Sequence, residues 1–318
     1  MGFLPESLNN FLSLLFRTGG PGMSGVDCPS LGFDRLNPTV STATKTMSKI
    51  RVYFQHLATN GHRDWLFVLP SLLLLALFGL PILALFTQAM GQTFLSYALA
   101  PEAVAALKLS LLTSLVSVGI ALALGTPLAY MLARWKFGGK ALIEMLVDLP
   151  VVLPPSVAGL ALLIAFGRQG LLGSTLGMFG ISLPFTTAAV VMAQTFVSAP
   201  LFIRAARIGF AEIDMQLEEA AHVEGANQWQ LFSEVMFPLA GRSLISGAIL
   251  CWTRALGEFG ATILFAGNLE GVTQTMPLAI YLGFERSLGV AVALSVVLVG
   301  VSALLLGVTR RLEKSSEL

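Results

Sequence analysis

Six apolar stretches, each close to the roughly 20 residues that a helix needs to cross a hydrocarbon core, run along this chain. They are Trp65–Thr87, Val104–Ala133, Leu142–Phe166, Thr186–Ile203, Ser243–Ala266 and Leu288–Val308. In lipid every backbone N–H and C=O must find its partner inside the protein, so spanning segments are helices or closed barrels. Runs this long and continuous specify helices, and the expected fold is all-α with six transmembrane helices. Charged residues are 12% of the chain, against about a quarter in soluble domains. Apolar residues reach 55%, and the mean hydropathy is +0.79. The second stretch exceeds what crossing requires, so it tilts or extends beyond the bilayer.

A net charge of +1 is uninformative here, but the placement of Lys and Arg is not. Arg134, Lys136 and Lys140 follow the second stretch, Arg204, Arg207 and Arg242 bracket the loop after the fourth, and Arg310, Arg311 and Lys314 follow the sixth. The other side carries Lys108, Arg168 and Arg286. Both termini and the loop of about 206–242 are therefore expected in the cytoplasm. Arg168 and Arg286 would face outward, either as solvated boundary residues or as contacts for a docked partner.

Residues 1–62 differ from the rest, 63–318, which are read as the transmembrane domain. Thr18–Ser24 is Gly-rich, Asn37–Lys49 is polar, and only Phe11–Phe16 is apolar. That run is too short for a secretory signal and lacks a preceding basic flank. The segment reads as a poorly ordered tail or as sequence upstream of a start at Met47. Glu6, Asp27 and Asp34 argue against an organellar transit peptide. Cys28 and Cys251 are too far apart in sequence to suggest a disulfide framework, and His56, His62 and His222 have no second ligand at metal-site spacing.

Between Arg204 and Arg242 the chain turns polar for nearly forty residues. Ile213, Leu217, Ala220, Ala221 and Glu224 fall at helical spacing. Gly225 supplies a flexible turn, since glycine takes positive φ without a Cβ penalty. A second short helix would place Trp229, Phe232 and Met236 on one face, with Pro238 stopping it. Two short helices at a bend form a knob suited to a partner's groove. A helix lying on anionic lipid is disfavoured, because Glu212, Asp214, Glu218, Glu219, Glu224 and Glu234 would be repelled.

The spacing Glu219-Ala220-Ala221, Gly225, Val235-Met236-Phe237-Pro238 resembles the E-A-A-x3-G-x9-I-x-L-P loop of ATP-binding-cassette importer permeases. From about Val104 to Arg311 the chain is similar to membrane subunits of molybdate-type oxyanion importers. The segments Leu149–Pro155, Ala165–Gly170, Ala255–Thr262 and Thr275–Pro277 carry that likeness. The resemblance implies a type I importer permease architecture and transport of molybdate or tungstate across a bacterial inner membrane. It also implies a homodimer in lipid, two cytoplasmic ATPase subunits and an extracytoplasmic anion-binding protein, with no nucleic acid among the partners. Glu219, Ala220, Ala221, Gly225 and Pro238 would couple the ATPase to the spans. The chain lacks a G-x4-G-K-[ST] phosphate loop, so it is expected to be no enzyme and to hold no cofactor itself, with ATP and Mg bound by the partner ATPase.

Within the spans, Arg254 and Glu258 are four residues apart, so they share a helical face and can pair. At membrane depth each costs at least ~2.5–3.5 kcal/mol unless paired or hydrated. Either they line the translocation path or its gate, or they form a salt bridge that fixes packing. Pro150, Pro154 and Pro155 kink the third stretch, again as a gate or as a shape-fixing bend. Gly257, Gly260 and Ala261 favour close helix approach. A sulfate or thiosulfate permease is the alternative within the same superfamily. An ion-gradient-driven secondary transporter would need midplane carboxylates and repeats, for which Glu258 is the sole candidate. A scaffold protein without a path fits the prolines and the charged pair less well.

A chain beginning at Met47 is expected to transport as well as the full chain. Uptake by membrane vesicles compares the two, and loss of activity in a truncated protein of normal membrane abundance contradicts the reading.

Overall fold

The computed structural model describes residues 65–89 and 94–315; the expectation of a disordered tail over 1–62 lies outside them. Described in chain order, the helices are α1 (Trp65–Ala89), α2 (Phe94–Ala98), α3 (Pro101–Arg134), α4 (Lys140–Val152), α5 (Pro155–Phe166), α6 (Gly173–Met178) and α7 (Thr187–Glu212). They continue as α8 (Met215–Val223), α9 (Gln228–Leu239), α10 (Gly241–Leu256), α11 (Gly260–Phe265), α12 (Met276–Arg286) and α13 (Leu288–Ser315). No strand occurs among the described residues. The chain divides into two units, 1–74 and 75–318. The described part of the first is the opening of α1, whose side chains from Phe67 to Leu74 are exposed.

Among the described residues four helices, α1, α3, α7 and α13, are long and apolar enough to cross a membrane. Among the same residues the number rises to at most six if each of two bent pairs, α4 with α5 and α9 with α10, counts as one span. The expected simple kink in the third stretch is instead a change of direction by 119°. Leu153 (ψ 136°) precedes Pro154 and Pro154 (ψ 136°) precedes Pro155. A residue before proline is pushed out of the helical region, and two such residues in succession turn the chain. The fifth stretch also departs from one continuous helix. It ends at Leu256 and resumes as α11 after Gly257-Glu258-Phe259.

The centre is built by α3, α7 and α10, which pack on one another. Their contacting faces are small: Ala121, Gly125 and Ala129 on α3, Ala193 and Ala206 on α7, Gly247 and Cys251 on α10. Leu112, Leu115, Leu122 and Leu124 of α3 point outward. This arrangement follows from the solvent, because lipid is as apolar as leucine and association gains from close backbone approach instead. A Cβ on Gly125 would lie 2.9 Å from Phe202 Cδ1.

The second close approach joins the two broken stretches. A Cβ on Gly159 of α5 would sit 2.7 Å from the Ala261 carbonyl oxygen, and one on Gly260 would sit 2.6 Å from Pro155 Cβ. Gly260 and Ala261 thus pack as expected. Gly257 does not: it is exposed and caps the end of α10, with only the Thr253 carbonyl oxygen at 3.7 Å. At φ −86° and with room for a Cβ, this position makes no close approach that requires glycine.

Gly159→Val is expected to cost roughly 1–3 kcal/mol by overpacking and to lower the unfolding temperature in detergent. Gly119→Val, where a Cβ meets nothing within 4 Å, should unfold close to wild type.

Candidate functional site

The polar loop is a pair of capped helices on a buried base. Asp214 caps α8, its Oδ1 accepting from the Gln216 N–H at 3.0 Å. At the other end Gly225 takes φ +88°. The Ala226 N–H donates to the Ala221 carbonyl at 2.9 Å and the Gly225 N–H to the His222 carbonyl at 3.0 Å, the pairing of a Schellman motif. Asn227 and Gln230 then open α9 with reciprocal side-chain to backbone bonds of 2.9 and 3.0 Å, a capping box. The turn between the two helices is therefore a fixed joint. Pro238 does not stop the second helix as expected. Residues Leu231–Met236 adopt a π turn, with the Phe237 N–H donating to the Phe232 carbonyl, and the helix runs through Pro238 to Leu239. The 70° bend comes at Ala240, where α10 begins. With the i→i+5 bonding of a π turn, the buried pair is Leu231 and Met236, while Trp229 is 72% exposed.

The base is made by residues that sequence reasoning treated only as topology markers or left unmentioned. The Arg134 guanidinium, at the end of α3, donates to the Ile213 carbonyl at 2.6 Å and pairs with Glu218 of α8 at 3.8 Å. The Tyr130 ring stands edge-on to Phe210 at 5.5 Å and to Phe232 at 5.1 Å. Those contacts tie α3, α7 and α9 beneath the knob. On its far side Glu219, Ala220 and Gly225 are exposed, beside Met215, Leu217 and Val223. Exposed apolar residues on an otherwise acidic knob, held by a rigid base, fit a protein groove.

Inside the spans, Arg254 Nη1 lies 2.7 Å from Glu258 Oε2. The pair forms, although α10 ends between its members. Glu258 is 1% exposed, and its Oε1 accepts the Ala261 N–H at 2.8 Å. One carboxylate thus holds the end of α10 and the start of α11 together. Because α11 packs on α5, this break lies against the Pro154–Pro155 break, and the four sequence-selected residues form one junction of two interrupted helices. A polar seam escaped the sequence reading. Ser110, Ser114 and Ser117 of α3, spaced i, i+4, i+7, are all buried. Ser110 accepts from the Met276 N–H, Ser114 from Trp252 Nε1, and Ser117 donates to Gln194 Oε1. Their spacing was the available signal. On the side read as extracytoplasmic, Arg168 donates to Ser182 Oγ at 3.4 Å, and Arg286 lines a cavity of about 220 Å³ with Glu102, Glu270 and Gln274.

The sequence pattern of binding-protein-dependent transport system inner membrane components matches residues 125–316. The chain belongs to that family. As a member of it, the transport component is a multi-pass membrane protein. It is 40% identical over 248 residues to the molybdenum transport system permease protein ModB of Mycobacterium tuberculosis, covering 78% of this chain and 94% of that one. It is 38% identical to the probable transport system permease protein NifC of Clostridium pasteurianum, over 69% of this chain and 77% of the relative. The probable sulfate transport system permease protein cysT of Chlorokybus atmophyticus matches at 34% over 72% of this chain and 82% of its own. Among solved structures, a bacterial ABC transporter involved in alginate import superposes with a TM-score of 0.66 at 18% identity, over 80% of this chain and 99% of that one. This transport component therefore has the type I ABC importer permease fold.

Arg254→Met leaves a buried carboxylate without its cation, a loss of about 3–5 kcal/mol at full burial and less here because Arg254 is one-third exposed. The double variant Arg254→Met/Glu258→Met is expected to be more stable than Arg254→Met alone in thermal unfolding. A double variant as unstable as the summed singles contradicts the pairing.

Proposed function

We propose that this chain is the membrane-spanning subunit of an ATP-driven molybdate importer. The observation that carries the reading is the rigid two-helix knob whose exposed face holds Glu219, Ala220 and Gly225, in a chain 40% identical to a molybdenum transport permease over nearly the whole length of that relative. The working unit is a homodimer in the inner membrane, with both termini and the knob in the cytoplasm, as the Lys and Arg distribution supports. Two separate ATPase subunits bind ATP and Mg and seat on the knobs, and an anion-binding protein delivers substrate from outside. No cofactor is assigned to this chain.

In this mechanism ATP binding favours one of two conformations of the ATPase pair and so shifts the permease between inward-facing and outward-facing states. Motion enters at α8, crosses the fixed joint at Gly225 and passes through α9 into α10. It reaches the junction of Arg254, Glu258, Pro154 and Pro155, which lines the path or its gate. The seam of Ser110, Ser114 and Ser117 is buried and hydrogen-bonded within the subunit, so it holds α3 to α7, α10 and the start of α12 while the junction moves.

The test is ATP-dependent uptake of labelled molybdate, with sulfate as competitor, in vesicles holding the chain with an ATPase and a binding protein. Uptake that resists excess sulfate is expected. Strong sulfate competition would reassign the substrate, and no uptake of either anion would refute the importer reading. In the same vesicles Gly225→Val should cut uptake by about tenfold or more while ATP hydrolysis persists, because a β-branched residue at positive φ costs about 1–3 kcal/mol. A Cβ there meets nothing within 4 Å, so the effect is conformational.

A further inference from the structure

Two arginines, Arg204 and Arg207, have carboxylate partners on a helix that can be displaced. Arg204 Nε of α7 donates to Asp148 Oδ1 of α4 at 2.6 Å, and Arg207 Nη1 lies 2.8 Å from Glu144 Oε1. The two arginines are three residues apart and the two acids four apart, so each pair of like charges lies on one helical face. All four side chains are between 30% and 42% exposed, so water reaches them and another anion can replace the carboxylates. Arg134 and Arg254 differ. The first is nearly buried and fixed to a backbone carbonyl; the second is tied to a buried carboxylate that caps α11.

The helix bearing the acids is weakly held. Pro150 is the one fully buried residue of α4, with Ile143 and Val147 half-buried against the core. Leu142, Met145, Leu146, Leu149 and Val152 face outward. The helix ends at the Leu153–Pro154 turn. An element with few buried apolar contacts, next to a break in the hydrogen-bond ladder, is the kind that opens locally.

We infer that Arg204 and Arg207 form an inner-side binding site for a tetrahedral oxyanion dianion, closed at rest by Asp148 and Glu144 acting as built-in competitors. The charge count fits, since two carboxylates and one dianion each bring two negative charges, so the exchange leaves the site's charge unchanged. Swinging α4 about its proline turn withdraws both acids together and presents two guanidinium groups to the same ion. Guanidinium is suited to this role because its donors match the oxygens of a tetrahedral anion. Return of the carboxylates displaces the ion, so binding there is transient. This inference rests on the importer reading and adds residues to it.

The experiment measures equilibrium binding of labelled molybdate to the purified full chain, alongside ATP-driven uptake in vesicles. Removing the competitors, with Glu144→Gln/Asp148→Asn, is expected to tighten molybdate binding by about tenfold or more, the scale of one charge-assisted hydrogen bond. Adding Arg204→Gln/Arg207→Gln should abolish that gain. No gain in the first variant overturns the proposal. Should that variant fail to accumulate in the membrane, the exchange Asp148→Arg/Arg204→Asp decides, because it keeps an ion pair between the helices. If the pairs are only struts, the exchange restores wild-type uptake and the proposal falls. If they form the site, uptake stays impaired. Wild-type vesicles separate the two levels: wild-type uptake with no gain on removing the acids refutes this site alone. Absence of ATP-driven oxyanion uptake by wild type refutes the importer reading and this inference with it.

Discussion

A carboxylate that satisfies two obligations at once holds the membrane-embedded part of this protein together. Glu258 is buried, and it neutralises Arg254 while accepting the Ala261 N–H where α11 begins. Without it, a helix break at membrane depth would leave a backbone donor and a cation to be satisfied by hydrocarbon, at several kcal/mol for each backbone group. The break in turn lets α11 settle on α5, close enough that Gly159 and Gly260 have no room for a side chain. The reversal at Pro154–Pro155 is thereby braced from a second direction. Interrupted helices persist in lipid only when such partners exist, and here each interruption supports the other.

At the opposite end of α10 a different solution operates. The knob is made stiff by local capping and is seated by Arg134 and the Tyr130–Phe210–Phe232 cluster. Its charged residues lie outward or pair with Arg134, and its apolar residues divide into a buried set and an exposed set. Leu231 and Met236 belong to the buried set, and Met215, Leu217 and Val223 to the exposed one.

Much of this was legible in the sequence. Long apolar runs located α1, α3, α7 and α13, since only helix length and hydropathy matter there, while α12 lay in none of them. Gly225 announced its turn because no other residue takes positive φ without cost, and the four-residue spacing of Arg254 and Glu258 announced their pairing. What escaped notice depended on tertiary contact. Pro238 was expected to end a helix, but a preceding π turn re-routes the hydrogen bonds around its missing N–H. Proline at 154 and 155 signalled a kink but not a turn of 119°, which two pre-proline residues in succession produce and the close seat against Gly260 braces. Arg134, Arg204 and Arg207 were counted as orientation markers, since their acceptors lie 79, 56 and 63 positions away in sequence. The hydroxyls of α3 carried a readable period but sat within a stretch read only for its hydropathy.

Helix α10 lies between the two rigid assemblies, bearing the knob at one end and the Arg254–Glu258 junction at the other. Its 16 residues make a rod about 24 Å long. Pivoted at the Ala240 bend, such a rod converts a tilt of about 5° at the base into a displacement of about 2 Å at the tip. That distance exceeds what the glycine contacts at Pro155 and Ala261 can absorb. Small angular movements at the Ala240 end therefore arrive at the junction as a choice between two packings, because the contact there is too tight to yield gradually.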